Sequence, residues 1–185
     1  SAFYCSGEHQ TQDWTDHKLL CKLVRSDSDI QAAVNMWCSD PTRALKKYGH
    51  ISEWNTFSVT TMEQLFVLKK EFNDDISKWN VSNVTDMSCM FSCYKKGQED
   101  VSAFNGDISK WNVSKVTTME SMFQCAVSFD GDISGWDVSN VTTMEDMFAR
   151  AVSFNGDISG WDVSKVTNMQ AMFLHAVSFN GDISR

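Results

Sequence analysis

Two pairs of metal-binding side chains stand at matching spacing near the start of the chain. Cys5 and His9 are four residues apart, and so are His17 and Cys21. On a helix each pair shares one face, and two thiols with two imidazoles make a zinc donor set. A second pair of thiols, Cys93 and Cys125, occupies equivalent places in neighbouring sequence blocks. Stacking the blocks would bring these two within disulfide reach, or leave a reduced pair in an intracellular protein. Asp75, Asp107, Asp132 and Asp157 also recur at one position. Their Asn-Gly-Asp setting suits a tight turn. A column of carboxylates ~5 Å apart would alternatively draw a cation to relieve its repulsion, without the dense alternating oxygen ligands of a calcium loop. No nucleophile pairs with a base, and no phosphate loop or isolated carboxylate pair rises above the background. His50 and His175 fall at variable positions and read as surface residues, so the sequence predicts no catalytic residue.

What positions these groups is a repeat. Aligned on Phe-x-x-Asp-Ile-Ser-x-Trp, the chain divides into blocks II (72–103), III (104–128), IV (129–153) and V (154–178). A fragment, VI (179–185), follows, and a weaker copy, I (47–71), precedes. The period is 25 residues, with seven extra in block II within CYKKGQEDVSA. A fixed period of this length signals a solenoid or array. Numbering each block from its opening Phe, position 8 reads Trp54, Trp79, Trp111, Trp136 and Trp161; position 5 reads Ile51, Ile76, Ile108, Ile133 and Ile158. Position 1 reads Phe72, Phe104, Phe129, Phe154 and Phe179. If each block adds a strand to a parallel sheet, like residues lie ~4.7–4.9 Å apart and form core ladders. The tryptophans then belong to the core, with an aromatic ligand platform as the competing reading.

Within a block the pattern changes period. Residues 157–164 predict a strand in which Trp161 and Val163 alternate and Ile158 sits across a bend. Residues 166–176 place Val166, Met169, Met172, Phe173 and Ala176 on one helical face. Thr167 with Gln170, and Thr60/Glu63, Thr117/Glu120 and Thr142/Glu145 in sister blocks, stand at capping-box spacing, broken only by Thr85 and Ser88. The expected block is therefore strand, turn, short helix, turn. The pattern Phe-Asn-x-Asp-Ile-Ser-x-Trp-Asp-Val-Ser-x-Val-Thr-x-Met-x-x-Met-Phe resembles the BspA-type leucine-rich repeat in its Mycoplasma-surface-lipoprotein-like variant, closely over 72–185 and loosely over 47–71. The resemblance implies an α/β solenoid, a leucine-rich-repeat-like right-handed horseshoe of short parallel strands and short helices, with a role in binding or adhesion and no catalysis.

A repeat protein binds through exposed positions that vary around a fixed frame. Positions 7 and 9 flank the buried Trp and vary: Glu53, Lys78, Lys110, Gly135 and Gly160 at position 7; Asn55, Asn80, Asn112, Asp137 and Asp162 at position 9. They form the expected partner-binding strip. Asn80, Asn83, Asn112 and Asn140 head Asn-x-Ser/Thr sequons that fall out of the repeat consensus and matter only in a secretory pathway.

Residues 1–25 are a separate object. Tyr4, Cys5, Gln10, Asp13, Trp14, His17, Lys18 and Cys21 resemble the C-terminal half of a MYND zinc finger, with His9 where that family has Cys. The resemblance implies that Cys5 and His9 serve one zinc and His17 and Cys21 another. The outcomes are a chain that extends upstream to complete both sites, one zinc shared by all four residues, or a metal-free helical hairpin. Residues 26–49 predict two helices. The first is capped by Ser28 or Asp29 and runs through Trp37. The second is capped by Ser39 or Asp40, with Pro41 in its first turn and Gly49 past its end. They form a helical N-terminal cap on a solenoid over 50–185. The other end has no such cap, so further repeats or a partner over Phe179 and Ile183 are expected.

The net charge of −8 is uneven: residues 1–46 hold six acids and five bases (−1), leaving eighteen acids and eleven bases (−7) for 47–185. An acidic repeat surface repels phosphate backbones, which argues against nucleic acid. No apolar run approaches the ~20 residues of a membrane span, and no signal peptide opens at Ser1. The sequence thus predicts a non-enzymatic protein–protein interaction scaffold joined to a zinc-finger-like module, with its partner unnamed. The alternatives are a secreted or cell-surface adhesin and a structural subunit of a larger assembly. The zinc-finger resemblance favours an intracellular location, with the cell surface as the alternative.

Overall fold

The computed structural model describes residues 23–94 and 100–183. It opens with strand β1 (Val24–Ser26), then helices α1 (Ile30–Ser39) and α2 (Pro41–Tyr48), a 3-10 turn (Ile51–Glu53) and strand β2 (Asn55–Ser58). β1 pairs in parallel with β2, Val24 opposite Asn55. The Asp40 side chain accepts the Arg43 N–H, with Pro41 in the first turn. Gly49, at φ 76°, lets the chain leave α2 through a left-handed conformation that a side chain disfavours. Asp29 precedes α1, but its carboxylate bonds Ser26 N–H and Arg25 instead of capping the helix.

The blocks stack in register. Parallel bridges join position 15 of each block to the next, from Thr61 through Asp86, Thr118 and Thr143 to Asn168. Trp, Ile and Phe columns run along the stack and are buried as far as block V. Like Phe rings at positions 1 and 20 stack at centroid separations of 5.4–6.1 Å. The two Phe columns interlock at 3.8–4.0 Å, as in Phe91 on Phe104. From block II on, each position 8 Trp indole N–H donates to the Ile carbonyl one block upstream, at 2.9–3.3 Å, whereas Trp54 donates to Gly49 O. A buried aromatic thus satisfies its one polar atom and fixes the register of its neighbour.

The inside of a block differs from expectation. No helix forms over 166–176 or its sister segments; they are runs of turns. The N–H groups at positions 16, 18, 20 and 22 leave the block and donate to carbonyls at positions 15, 17, 19 and 21 of the next block, at 2.7–3.2 Å. A helix would keep those bonds four residues back. The amides at positions 13, 19 and 21 close i to i+3 turns, such as Met122 N–H to Met119 O at 3.2 Å. Residues at position 18, and those at position 22 other than Cys93, among them Ser121, Cys125, Asp146 and Ala171, sit at φ 52–61°. A left-handed residue cannot continue a right-handed helix.

The capping box is likewise replaced. The Thr at position 14 stays within its column: its amide and hydroxyl both donate to the Thr carbonyl of the preceding block, as Thr142 does to Thr117 at 2.8 and 3.0 Å. The side chain at position 15 accepts the N–H two residues on instead, as in Gln170 N–H to Asn168 Oδ1. Nor are residues 157–164 a strand, because the same local chemistry bends them. Asp157 Oδ1 accepts Ser159 N–H, and Asp162 Oδ1 accepts Ser164 N–H. Three short polar side chains per block each fold the chain back on itself.

Candidate partner-binding strip and metal residues

The Trp at position 8 points inward at every block, with 2–7% of its surface exposed. Alternation about it turns positions 7 and 9 outward. Glu53, Asn55, Lys78, Asn80, Lys110, Asn112, Gly135, Asp137, Gly160 and Asp162 are all exposed, so the strip is one continuous row across blocks I to V. Its members differ in freedom. Every position 9 side chain spends one oxygen on a turn, from Asn55 accepting Phe57 N–H to Asp162 accepting Ser164 N–H. That pairing, hydroxyl first and amide second, holds the Asp137 and Asp162 carboxyls below the usual range. Position 7 carries no such duty. Lys78 reaches across to Glu53 at 3.0 Å, an exposed contact. A Cβ built on Gly135 or Gly160 would meet nothing within 4 Å, so both places have room for a side chain. Charge changes along the row: a Glu53–Lys78 pair, then Lys110, then Asp137 and Asp162.

The position 4 acids are turn residues. Asp75, Asp107, Asp132 and Asp157 each accept the N–H of the Ser two residues on, at 2.9–3.0 Å. The Ser134 hydroxyl and amide hold the Asp132 carboxyl below its usual range, outweighing Asp107 and Asp157 on either side, which push it up. Block I has His50 here, and its Nδ1 accepts the Ser52 N–H in the carboxylate's place. Among the described residues no group of three or more His, Cys, Asp or Glu is gathered as a metal site.

Cys5, His9, His17 and Cys21 lie outside the described residues. Cys93 and Cys125 are free, buried thiols on neighbouring blocks, joined through Cys93 N–H to Gln124 O at 3.2 Å. Burial first, with Cys125 and Asp100 adding to it, pushes the Cys93 thiol up to about 11. The sequon asparagines are engaged in the stack: Asn83 Nδ2 donates to Phe57 O, Asn140 Nδ2 to Ser114 O, and their Oδ1 atoms accept from Lys115 and Lys165. No helix among the described residues is long and apolar enough to cross a membrane.

Two features escaped the sequence reading. Position 2 forms a side-chain ladder in which Asn73, Asn105, Asp130 and Asn155 each accept the N–H of the same position in the next block, at 2.8–3.0 Å. Its signal was the recurring Asn beside the Phe. The second is Asp27, whose carboxylate accepts Thr60 N–H and Thr60 Oγ1–H, both at 2.7 Å, and Thr61 N–H at 3.3 Å. It stands where a preceding block would offer its Thr carbonyl, and nothing in its local sequence marks it.

The repeat region matches a family model. The family described as "Mycoplasma protein of unknown function, DUF285" matches residues 34–106 and 94–185. The chain belongs to this family. The DUF285 match begins within α1 and takes in every block. A MYND finger model matches residues 1–21, the segment that carries Cys5, His9, His17 and Cys21. No curated protein and no solved structure matches the chain.

Proposed function

We propose that this DUF285 chain is a non-enzymatic protein-interaction scaffold whose stacked blocks form a leucine-rich-repeat-like solenoid, and that it grips a protein partner along positions 7 and 9. The observation that supports this is the contrast within a single tripeptide, repeated five times: a buried Trp between two exposed, variable neighbours. The frame spends its recurring side chains on stacking. It leaves position 7 free of structural duty, and a surface that varies without disturbing its support is suited to recognition. The change of charge along the row, positive at Lys110 and negative at Asp137 and Asp162, favours a partner with the complementary order.

The test is capture of partners from the native source by the full chain and by a Lys110→Glu, Asp137→Lys, Gly160→Lys variant. The scaffold reading expects at least one protein retained by the first and lost by the second at equal thermal stability. Identical capture by both would remove the strip from the function.

The MYND match and the two-thiol, two-imidazole donor set support zinc bound by Cys5, His9, His17 and Cys21, where the metal would organise the leader rather than catalyse. Metal content of the purified chain, compared with a Cys5→Ser, Cys21→Ser variant, decides this. Zinc in the first and none in the second is expected; a zinc-free wild type ends the assignment.

A further inference from the structure

Position 22 carries exposed side chains in blocks I, IV and V, namely Leu68, Arg150 and His175, but blocks II and III place buried thiols there. Cys93 is 0% and Cys125 4% exposed. Cys93 N–H donates to Gln124 O at 3.2 Å, the bond that sets Cys93 directly opposite Cys125 in a parallel pairing. Residues so opposed have Cα atoms about 4.8 Å apart, inside the ~4.4–6.8 Å range that a disulfide spans. The pair also stands at the foot of the irregular segment 93–103. Ser102, where that segment rejoins the stack, donates its N–H to Cys125 O at 2.9 Å. Adjacent carbonyls, Gln124 and Cys125, therefore hold its two ends. Ala103 N–H to Lys70 O and the Lys70–Asp100 ion pair, at 2.8 and 2.6 Å, secure the return. Cys89 has no thiol opposite it: its N–H goes to Glu120 O, which places Ser121 there. Beside Cys125 opens a cleft of about 380 Å³, lined by Val127 and Val152 and walled by Arg150 and His175.

We propose that Cys93 and Cys125 are an oxidation site, where a small-molecule disulfide entering through this cleft closes a covalent link between blocks II and III. Access sets the order of events. Cys125 borders the cleft, and Cys93 is fully covered. The Cys125 thiolate attacks one sulfur of the small disulfide, and the other sulfur leaves as a thiolate. The Cys93 thiolate then attacks the Cys125 sulfur, forming the Cys93–Cys125 bond and expelling the second small thiolate. The protons given up by the two cysteines go to the two released thiols. Two protein thiols are thus oxidised, and one small disulfide is reduced. Burial pushes the Cys125 thiol up while Arg150 draws it back, and burial with Cys125 beside it pushes Cys93 up further. The exchange is therefore slow at neutral pH and quickens as pH rises. The link ties together two blocks joined in sequence through the irregular segment. It persists in oxidising surroundings and opens where small thiols are in excess.

The probe is oxidised glutathione, added to the dilute full chain at about pH 8.5, within the ordinary thiol range. Remaining thiols are then blocked, and the digest is mapped by mass spectrometry. The expected product is a peptide pair from one chain joined through Cys93 and Cys125. Its melting temperature should lie about 5–10 °C above that of the reduced chain, and dithiothreitol should reverse the gain. A Cys93→Ser chain should keep glutathione on Cys125, with no second thiol to expel it. A Cys125→Ser chain should leave Cys93 unmodified. The wild-type map decides the matter even if either variant folds poorly. No Cys93–Cys125 link while the exposed Cys38 is modified overturns the inference. So does a link that forms only in denaturant, or one that lowers the melting temperature. Glutathione retained on Cys93 in the Cys125→Ser chain overturns the route through the cleft. The strip at positions 7 and 9 and the zinc residues take no part in this readout, so each reading can fail alone.

Discussion

Blocks I and V differ in what lies against their outer faces among the described residues. At the first end, block I would expose the Thr60 and Thr61 amides and the face of Trp54. Asp27 takes both amides, and Trp37 and Tyr48 meet the Trp54 ring edge-on at 6.2 and 6.1 Å. The Arg25 guanidinium lies over Tyr48 and Trp54, bonded to Asp29 at 2.7 Å. Of the residues that seal this face, Arg25, Asp27, Asp29 and Trp37 lie outside the repeat, and Tyr48 is at position 2 of block I. At the other end, Phe179 stacks on Phe154 and Phe173, while among the described residues no block pairs with the amides of Met169, Ala171, Phe173 and His175. Identical residues therefore contribute differently according to what lies on their far side, and stability should fall towards block V. The sharpest test uses one column. Met119→Ala empties a fully buried site and should cost about 2–5 kcal/mol. Met169→Ala, at 41% exposure, should cost less than ~1 kcal/mol. Denaturant titration of both variants reads the difference, and equal losses would mean that the last block is as well packed as the third.

The sealed end can be broken through one carboxylate. Asp27→Ala leaves the Thr60 amide and hydroxyl without their acceptor and should cost about 1–2 kcal/mol, with the loss concentrated in block I. Burial alone would raise the Asp27 carboxyl, but the hydrogen bonds from Thr60 and Thr61 outweigh it and hold it below the ordinary value. Asp75, Asp107, Asp132, Asp137 and Asp162 are depressed in the same direction by the serines they bond. The sign follows from linkage. A carboxyl with a lowered folded pKa contributes stability that is present above its unfolded value near ~3.9 and is lost as pH falls through the folded value. The chain should keep its melting temperature from neutral pH down to about 5 and lose it steeply below about 4. An Asp27→Ala chain should lose less over that interval than the wild type. A profile flat to pH 3 would sink the view that these turns depend on ionised aspartates.

The sequence exposed the columns and concealed the bonds between them. Period, identity and burial of Trp, Ile and Phe were legible because a repeat places like side chains in like surroundings. Asp40-Pro41 and Gly49 marked the limits of α2 for equally local reasons. The helix over 166–176 was misread because apolar residues at positions 13, 16, 19, 20 and 23 suit a helical face and also a chain of i to i+3 turns. What separates the two is where each amide sends its hydrogen bond. Here it goes to another block, a fact that no window of one block contains. The strip was legible as the outward half of an alternation about Trp, but the turn duty of Asn112 or Asp162 was not, since it rests on a bond to a backbone amide. Asp27 was invisible for a further reason: it imitates a backbone carbonyl of a block that precedes the first, and no sequence pattern encodes that.

The left-handed positions give a smaller and finer test of the same contrast. Ser121 and Ala171 share position 18, at φ 54° and 52°. In that region a Cβ crowds the following carbonyl, at a cost of roughly 1–2 kcal/mol that glycine escapes. Glycine in turn raises the entropy of the unfolded chain, which offsets about 0.5–1 kcal/mol of the gain. Ser121→Gly and Ala171→Gly should each relieve local strain worth up to about 1 kcal/mol. The two should not report it alike. Ser121 sends its N–H into Glu145 O and is locked into the stack, so its relief should appear in global unfolding. Ala171 lies in the block that opens first, so its relief should appear mainly as slower hydrogen exchange within residues 166–176 and little in the global midpoint. Equal gains in global unfolding at both positions would show that block V unfolds with the rest, and the difference between the two ends would then lie in surface chemistry alone.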